Sequence, residues 1–182
     1  MKTIQSIIDS KKEMSREDIL KYLNLLNDKL KQINKQGEVS IVGGAVMCLC
    51  FESRPATFDI DAIYQPNAII DRLVREIASE NNIQVTWLND ICYQFLSDNG
   101  EFKLYHNLSH LKIYTAVPEY MLAMKCLSGR LDNKNEMEDI KFLLKYLELQ
   151  SFDEVLLIVN KFYPSEKIKD RLIFIIKELL HE

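Results

Sequence analysis

A pair of glycines between two apolar segments is the feature that most constrains the fold of this chain. Gly43 and Gly44 follow the strand-like run Glu38–Val42 and precede the run Ala45–Phe51, which is typical of a buried helix. Glycine permits a tight strand-to-helix turn because it lacks a Cβ. The same turn can present bare backbone amides and a helix N-terminus to a phosphate. The pattern leaves both interpretations open, a structural turn or a phosphate cradle.

Two aspartates follow in a second apolar segment. Asp59 and Asp61 lie at i and i+2 in the predicted strand Phe58–Tyr64, and the first comes fifteen residues after Gly44. Side chains at i and i+2 of a strand point to the same face. Carboxylates inside so apolar a strand are costly unless solvent, a cation or another partner meets them. We therefore interpret the pair as a divalent-cation site, rather than as one surface residue and one loop cap.

Two further polar residues lie on the loop that leads into this strand. Arg54 can clamp a phosphate bidentately, although a lone arginine is usually an ordinary exposed charge. Thr57 can hydrogen-bond the site or cap the turn. With the glycines and the aspartates, these residues favour metal–nucleotide chemistry.

The remaining pattern predicts an α+β fold with one N-terminal helix, a mixed centre and a helical tail. Ser15 is a good N-cap for an amphipathic helix over 15–35, and Asn67 can cap a helix over 68–80. Asp98-Asn99-Gly100 indicates a hairpin turn among three weaker strands. These strands are Tyr93–Leu96, Phe102–His106 and Leu111–Thr115.

Pro118 begins the tail, since proline fits the first turn of a helix. Gly129 and Pro164 punctuate four predicted helices. These helices cover 118–128, 136–149, 152–162 and 165–181. We therefore predict a core over 1–116 and a helical region over 117–182 that packs on it.

Composition narrows the classes of function. The net charge of −4 gives no basic excess, so contact with nucleic acid would need a local patch. The four cysteines form no CxxC motif, which favours reduced, buried thiols over a zinc site. No signal peptide and no apolar run of the roughly 18–20 residues that a membrane span needs is present, which predicts a cytoplasmic protein without a membrane partner.

Gly43-Gly44 followed by Arg54-x-x-Thr57-x-Asp59-Ile60-Asp61 resembles the signature of the polymerase-β-type nucleotidyltransferase superfamily. The resemblance implies a mixed β-sheet flanked by helices. It implies that the aspartates hold Mg²⁺ on the triphosphate of a nucleoside triphosphate (NTP). It also implies that the glycine turn contacts the phosphates, with Arg54 and Thr57 as further nucleotide-binding residues.

A second stretch is similar to the C-terminal motifs of one bacterial branch of that superfamily, which includes the AbiE-type toxins of toxin–antitoxin pairs. The similar residues are Val117–Lys125, Arg130 and Glu138–Leu144. Carried across, Lys125 would face the triphosphate and Asp139 would be an acidic partner near the site. Taken alone, Lys125 is typical of a snorkelling surface lysine, and Asp139 of a solvated charge beside an apolar helical face.

The resemblance implies Mg²⁺-dependent transfer of a nucleoside monophosphate from an NTP to an RNA, protein or small-molecule acceptor. A toxin role would add a tRNA or protein acceptor and a cognate antitoxin as partners. One departure from the pattern is that Leu111–Thr115 carries no acid, where classical members have a third carboxylate. Asp90 and Glu101 are available elsewhere in the chain, and either Asp139 substitutes or the chemistry is altered. The alternatives are therefore a degenerate protein that binds a nucleotide or partner without turnover, and an antibiotic nucleotidyltransferase.

Overall fold

The computed structural model describes residues 12–128, 134–164 and 166–181. Gly129 and Arg130, to which the sequence assigned a helix end and part of a motif, lie outside the described residues. Within these ranges the chain is an α+β protein with a mixed sheet and seven α-helices. Its contacts define two compact units, one reaching up to Gln94 with Lys103–Thr115, the other covering Phe95–Phe102 and the chain from Ala116 onward.

Strands and helices are mixed up to residue 116, and the described elements after it are all helices. The first part contains β1 (Met14–Ser15), α1 (Arg16–Gln32), β2 (Gly37–Val42), α2 (Gly44–Cys50), β3 (Ala56–Thr57), β4 (Ile60–Gln65), α3 (Asn67–Asn81), β5 (Leu88–Asn89), the 3-10 helix Ile91–Phe95, β6 (Phe102–Asn107) and β7 (Leu111–Ala116). The second part contains α4 (Pro118–Ser128), α5 (Lys134–Tyr146), α6 (Phe152–Phe162) and α7 (Asp170–Leu180). This order confirms the predicted α+β class.

Five strands form the main sheet in the order β5-β4-β2-β7-β6. The central strand β2 pairs antiparallel with β4 and parallel with β7, and β4 pairs parallel with β5. Val39, Ile41 and Ala62 are fully buried on one face. A Cβ on Gly37, on that face, would lie 2.9 Å from Leu30 of α1 and 3.4 Å from Ile70 of α3. Helices α1 and α3 therefore cover this face of the sheet.

Helix starts show where local sequence decides structure. Ser15 caps α1 as predicted: its hydroxyl accepts from the Asp18 amide at 3.2 Å, and the Asp18 carboxylate accepts from the Ser15 amide at 3.1 Å. Asn67 was wrongly predicted as a cap. Pro66 occupies that position without a side-chain hydrogen bond, and Asn67 is the first helical residue.

The strand predicted at Tyr93–Leu96 is wrong. Ile91–Phe95 forms a 3-10 helix, which begins where the Ile91 amide donates to Asn89 Oδ1 at 3.1 Å. Asp98-Asn99-Gly100 does form a turn, closed by a 3.0 Å bond from the Gly100 amide to the Ser97 carbonyl. The turn does not connect two strands of a hairpin, because the segment before it is the 3-10 helix rather than a strand. The strands predicted at Phe102–His106 and Leu111–Thr115 are confirmed as β6 and β7.

The second unit is built around aromatic residues of its helices. The ring of Tyr120 on α4 lies 5.0 Å from that of Phe162 on α6, and its hydroxyl accepts from the Ser97 amide at 2.8 Å. All four predicted helices of the tail are present. The last helix was predicted to begin at 165 but begins at Asp170, and residues 166–169 are not helical. None of the described helices is both long and apolar enough to cross a membrane.

We expect one thiol to react with a disulfide reagent in the native protein at pH 8. Cys50 is half-buried, whereas Cys48, Cys92 and Cys126 are buried. Burial raises the pKa of the Cys126 thiol to about 12, so this group stays protonated and unreactive at pH 8. A spectrophotometric titration should count one reactive thiol in the native state and four in denaturant. Cys50→Ser should abolish the native signal; two or more fast thiols in the unmodified chain would contradict this core.

Candidate active site

The register of β2 on β4 places the glycine turn beside an aspartate. Val42, the last residue of β2, pairs with Asp61 of β4, so the turn begins where that carboxylate lies. Gly43 has φ 69° and ψ −148°, a conformation almost confined to glycine. A Cβ at Gly43 would lie 3.2 Å from Asp61 Oδ2. The Asp61 carboxylate therefore packs directly against the backbone of the turn.

The second glycine meets the two polar residues of the following loop. A Cβ at Gly44 would lie 2.5 Å from Arg54 Nη1 and 2.8 Å from Thr57 Oγ1. The loop returns to this point because β3 pairs with β1, matching Thr57 with Met14. Thr57 is buried, and its hydroxyl donates to the Asp59 carbonyl at 3.2 Å. The missing Cβ is thus what allows a guanidinium and a hydroxyl to approach the turn.

The two aspartates flank a fully buried isoleucine at the start of β4. Asp59 directly precedes the strand, Asp61 is its second residue, and both are half-buried, whereas Ile60 is 0% exposed. On β4 the exposed face continues through Ile63, while Ala62 points into the core. The predicted strand started too early, at Phe58. Even so, the structure places six of the predicted site residues at or next to the glycine turn. They are Gly43, Gly44, Arg54, Thr57, Asp59 and Asp61.

Of Asp90 and Glu101, the other acids available for a third carboxylate, one follows a strand that pairs with Asp61. Asn89 of β5 pairs with Asp61, and Asp90 follows it. Burial, together with the charges of Asp61 and Asp90, raises the pKa of the neighbouring Cys92 thiol to about 12. Glu101 instead forms a 2.8 Å ion pair with Lys161 in the other unit. Among the described residues, no group of three or more His, Cys, Asp or Glu side chains is placed to hold a metal ion.

Lys125 and Asp139 lie in the second unit and form a buried ion pair. Lys125 Nζ is 2.8 Å from Asp139 Oδ2 and 3.1 Å from Glu136 Oε2. The other Glu136 oxygen accepts from Ser128 Oγ at 2.9 Å. Lys125 is 5% exposed and Asp139 3%, so the solvated charges suggested by the residues alone are wrong. Glu136, the third member, was missed; its i−3 spacing from Asp139 on one helix was the available signal.

The chain matches one known protein family over most of its length. Residues 18–173 match the profile of a family described as nucleotidyltransferase of unknown function (DUF6036). The chain belongs to this nucleotidyltransferase family. The match spans the glycine turn, both aspartates and the Lys125–Asp139 pair. No curated protein and no solved structure matches the chain. Membership of the AbiE-type branch stays a prediction.

We expect Gly43→Ala to lower the free energy of unfolding by roughly 1–3 kcal/mol, the usual cost of holding an ordinary residue in a glycine-only conformation. The added methyl would also crowd Asp61 Oδ2. Urea denaturation followed by circular dichroism measures the change. Asn67→Ala, at an exposed position with no capping bond, is the control and should stay within about 0.5 kcal/mol. Equal denaturation midpoints for the two variants would show that the turn accepts a Cβ at position 43 without strain and would contradict this prediction.

Lys125→Met should destabilise the protein by about 3–5 kcal/mol, because it leaves the Glu136 and Asp139 carboxylates buried without a cation. Lys145→Met on the same helix as these acids removes an exposed charge and should cost less than about 0.5 kcal/mol. Thermal and urea unfolding of both variants tests the difference. A Lys125→Met protein as stable as the control would mean that the pair contributes nothing to folding.

Proposed function

We propose that this protein is a Mg²⁺-dependent nucleotidyltransferase that moves a nucleoside monophosphate from an NTP to an acceptor hydroxyl. The observation that carries the proposal is the convergence at one turn: the Asp61 carboxylate on Gly43, and Arg54 with Thr57 on Gly44. Membership of a nucleotidyltransferase family supports nucleotidyl transfer in general. The metal, the acceptor and the individual roles are our proposal.

The donor set fits Mg²⁺ that arrives with its substrate. Proteins usually bind this ion through one or two carboxylates, with substrate phosphates and water completing the octahedron. Asp59 and Asp61 provide two carboxylates at the start of one strand, so no third protein ligand is needed. When bound, the ion would neutralise charge on the phosphate oxygens.

The residues of the turn would position the triphosphate. The backbone of Gly43 and Gly44 would approach the β- and γ-phosphates, since no Cβ stands in the way. Arg54, whose guanidinium lies beside Gly44, would pair with phosphate oxygens bidentately. Thr57 holds the Asp59 carbonyl and so fixes the loop that carries the first carboxylate.

The chemistry would then be an in-line displacement at the α-phosphorus. The acceptor oxygen forms a bond to phosphorus while the bond to the leaving pyrophosphate breaks. The acceptor proton needs a base, and we assign this role to Asp90, at the end of the strand that neighbours Asp61. The motif implies a role at the triphosphate for Lys125, and its 2.8 Å ion pair supports Asp139 as the group that holds the Lys125 side chain.

The proposal has one more specific form and one alternative. The C-terminal motif supports a toxin of a toxin–antitoxin pair, with a tRNA or protein acceptor and a cognate antitoxin. A second candidate is nucleotide binding without turnover. It is favoured by Leu111–Thr115, which carries no acid where the resemblance implies a third carboxylate.

We expect the double variant Asp59→Asn/Asp61→Asn to lose at least about 10²-fold in Mg²⁺-dependent pyrophosphate release, the scale at which lost electrostatic stabilisation acts. The assay combines α-³²P-labelled NTPs with RNA, protein and small-molecule fractions as acceptors. Asp98→Asn changes an exposed aspartate of the second unit that has no assigned role and should leave the rate unchanged.

Calorimetry of Mg-NTP binding separates the outcomes. Binding by the unmodified protein without pyrophosphate release over any fraction would favour the binding-only candidate. Undiminished release in the double variant would refute the assigned mechanism, and no binding of any Mg-NTP would refute the site itself.

A further inference from the structure

An open cavity of about 460 Å³ is lined by residues of β2 and β4 and by Asp90. Its floor includes Ser40 of β2 and Ile63 of β4, which pair in register across the sheet. Ile63 lies two residues after Asp61 and therefore on the same face of the strand. The cavity thus lies on the sheet face that bears the Asp61 carboxylate, and its volume falls within the roughly 300–1,000 Å³ of small-molecule sites.

The charges that line this cavity are negative. Glu38 and Asp90 contribute carboxylates, and none of the described lining residues is a lysine or arginine. Lys112 pairs with Glu38 at 3.5 Å, but both side chains are about half exposed, and such pairs are weak in water. Behind the floor, the Tyr64 hydroxyl donates to Asp71 at 2.7 Å. Burial, that hydrogen bond and the charges of Asp71 and Asp90 together hold the pKa of Tyr64 well above its usual range.

The other groups at the cavity suit a polar ligand with a flat or cationic part. Tyr93 lines it while 73% exposed, which leaves the ring accessible to a ligand. An aromatic face attracts an organic cation and packs against a sugar ring. Ser40, Gln65 and Asn67 provide both hydrogen-bond donors and acceptors, which hydroxyl groups require.

We propose that this cavity is the acceptor subsite and that the acceptor is a small organic cation bearing hydroxyl groups, of the amino-sugar or amino-alcohol class. This inference rests on the proposed function and names its substrate class. The ammonium would lie between Glu38 and the Tyr93 ring, and a hydroxyl would point along the sheet towards Asp61. That hydroxyl oxygen bonds to the α-phosphorus, pyrophosphate leaves, and its proton passes to Asp90. A phosphate-rich acceptor such as RNA would instead bring negative charge against Glu38 and Asp90.

The test is an NMR titration of the ¹⁵N-labelled full chain with glucosamine and with N-acetylglucosamine, which differ at the amine in charge. Glucosamine should shift the amides of Ser40, Ile63 and Asn67 and bind at least about fivefold more tightly, the effect of about 1 kcal/mol from a partly solvated charge pair. Equal affinities, or no shifts at these amides, would overturn the proposal.

Two variants that change the charge at the cavity test whether the ligand it binds is a cation or an anion. Glu38→Gln should weaken glucosamine binding roughly two- to fivefold. Lys112→Gln should tighten it by a similar factor, because it releases Glu38 from its ion pair. An anionic ligand would respond in the opposite direction, so tighter RNA binding in Glu38→Gln together with unchanged glucosamine binding would assign the cavity to nucleic acid and refute the proposal.

Mg-NTP calorimetry on the same samples keeps the two proposals distinguishable. Glu38→Gln and Lys112→Gln should leave the Mg-NTP dissociation constant unchanged, since neither residue lies at the glycine turn. Failure of glucosamine to bind alongside normal Mg-NTP binding would overturn the acceptor class alone. Loss of Mg-NTP binding in the unmodified chain would overturn the proposed function.

Discussion

The antiparallel register of β2 on β4 is the constraint on which the candidate site depends. It sets Val42 opposite Asp61 and so places a carboxylate where the glycine turn begins. A slip of one residue would turn Asp61 into the face covered by α1 and α3 and expose Ile60 and Ala62. Burying an unpaired carboxylate there would cost several kcal/mol. The apolar alternation of β4 thus fixes the register, and the register positions the site.

The two glycines turn this register into a confined polar space. Gly43 supplies a backbone conformation that ordinary residues rarely adopt, and its missing Cβ leaves room for the Asp61 carboxylate. Gly44 leaves room for Arg54 and Thr57, which the short pairing of β1 with β3 returns to the turn. The Arg54 guanidinium, the Thr57 hydroxyl and the Asp61 carboxylate can approach this turn because both of its residues lack a Cβ. Ordinary helix or strand propensity would not select glycine at either position.

A buried charge cluster organises part of the second unit. Lys125 of α4 meets Glu136 and Asp139 of α5 with both acids largely removed from water. Such a cluster adds little net stability over apolar packing, but breaking it leaves charges that nothing compensates. The motif that suggested catalytic roles for Lys125 and Asp139 therefore also has a structural consequence. The ion pairs connect α4 with α5 and do not depend on a bound nucleotide.

Sequence alone determined the elements whose signal is periodic or capped: the Ser15-capped helix α1, the strands β2, β6 and β7, and the four helices of the tail. It also identified the glycines, Arg54, Thr57 and the aspartates as one chemical group, because their order and spacing resemble a nucleotidyltransferase signature. It could not determine β5, since a two-residue strand has no period, nor the 3-10 helix that the Asn89 side chain begins. Only the tertiary structure decided that Asp90 follows the strand that pairs with Asp61, that Glu136 joins Lys125, and that a negatively lined cavity lies on the sheet face of Asp61. These depend on contacts between residues far apart in the chain, which local sequence does not encode.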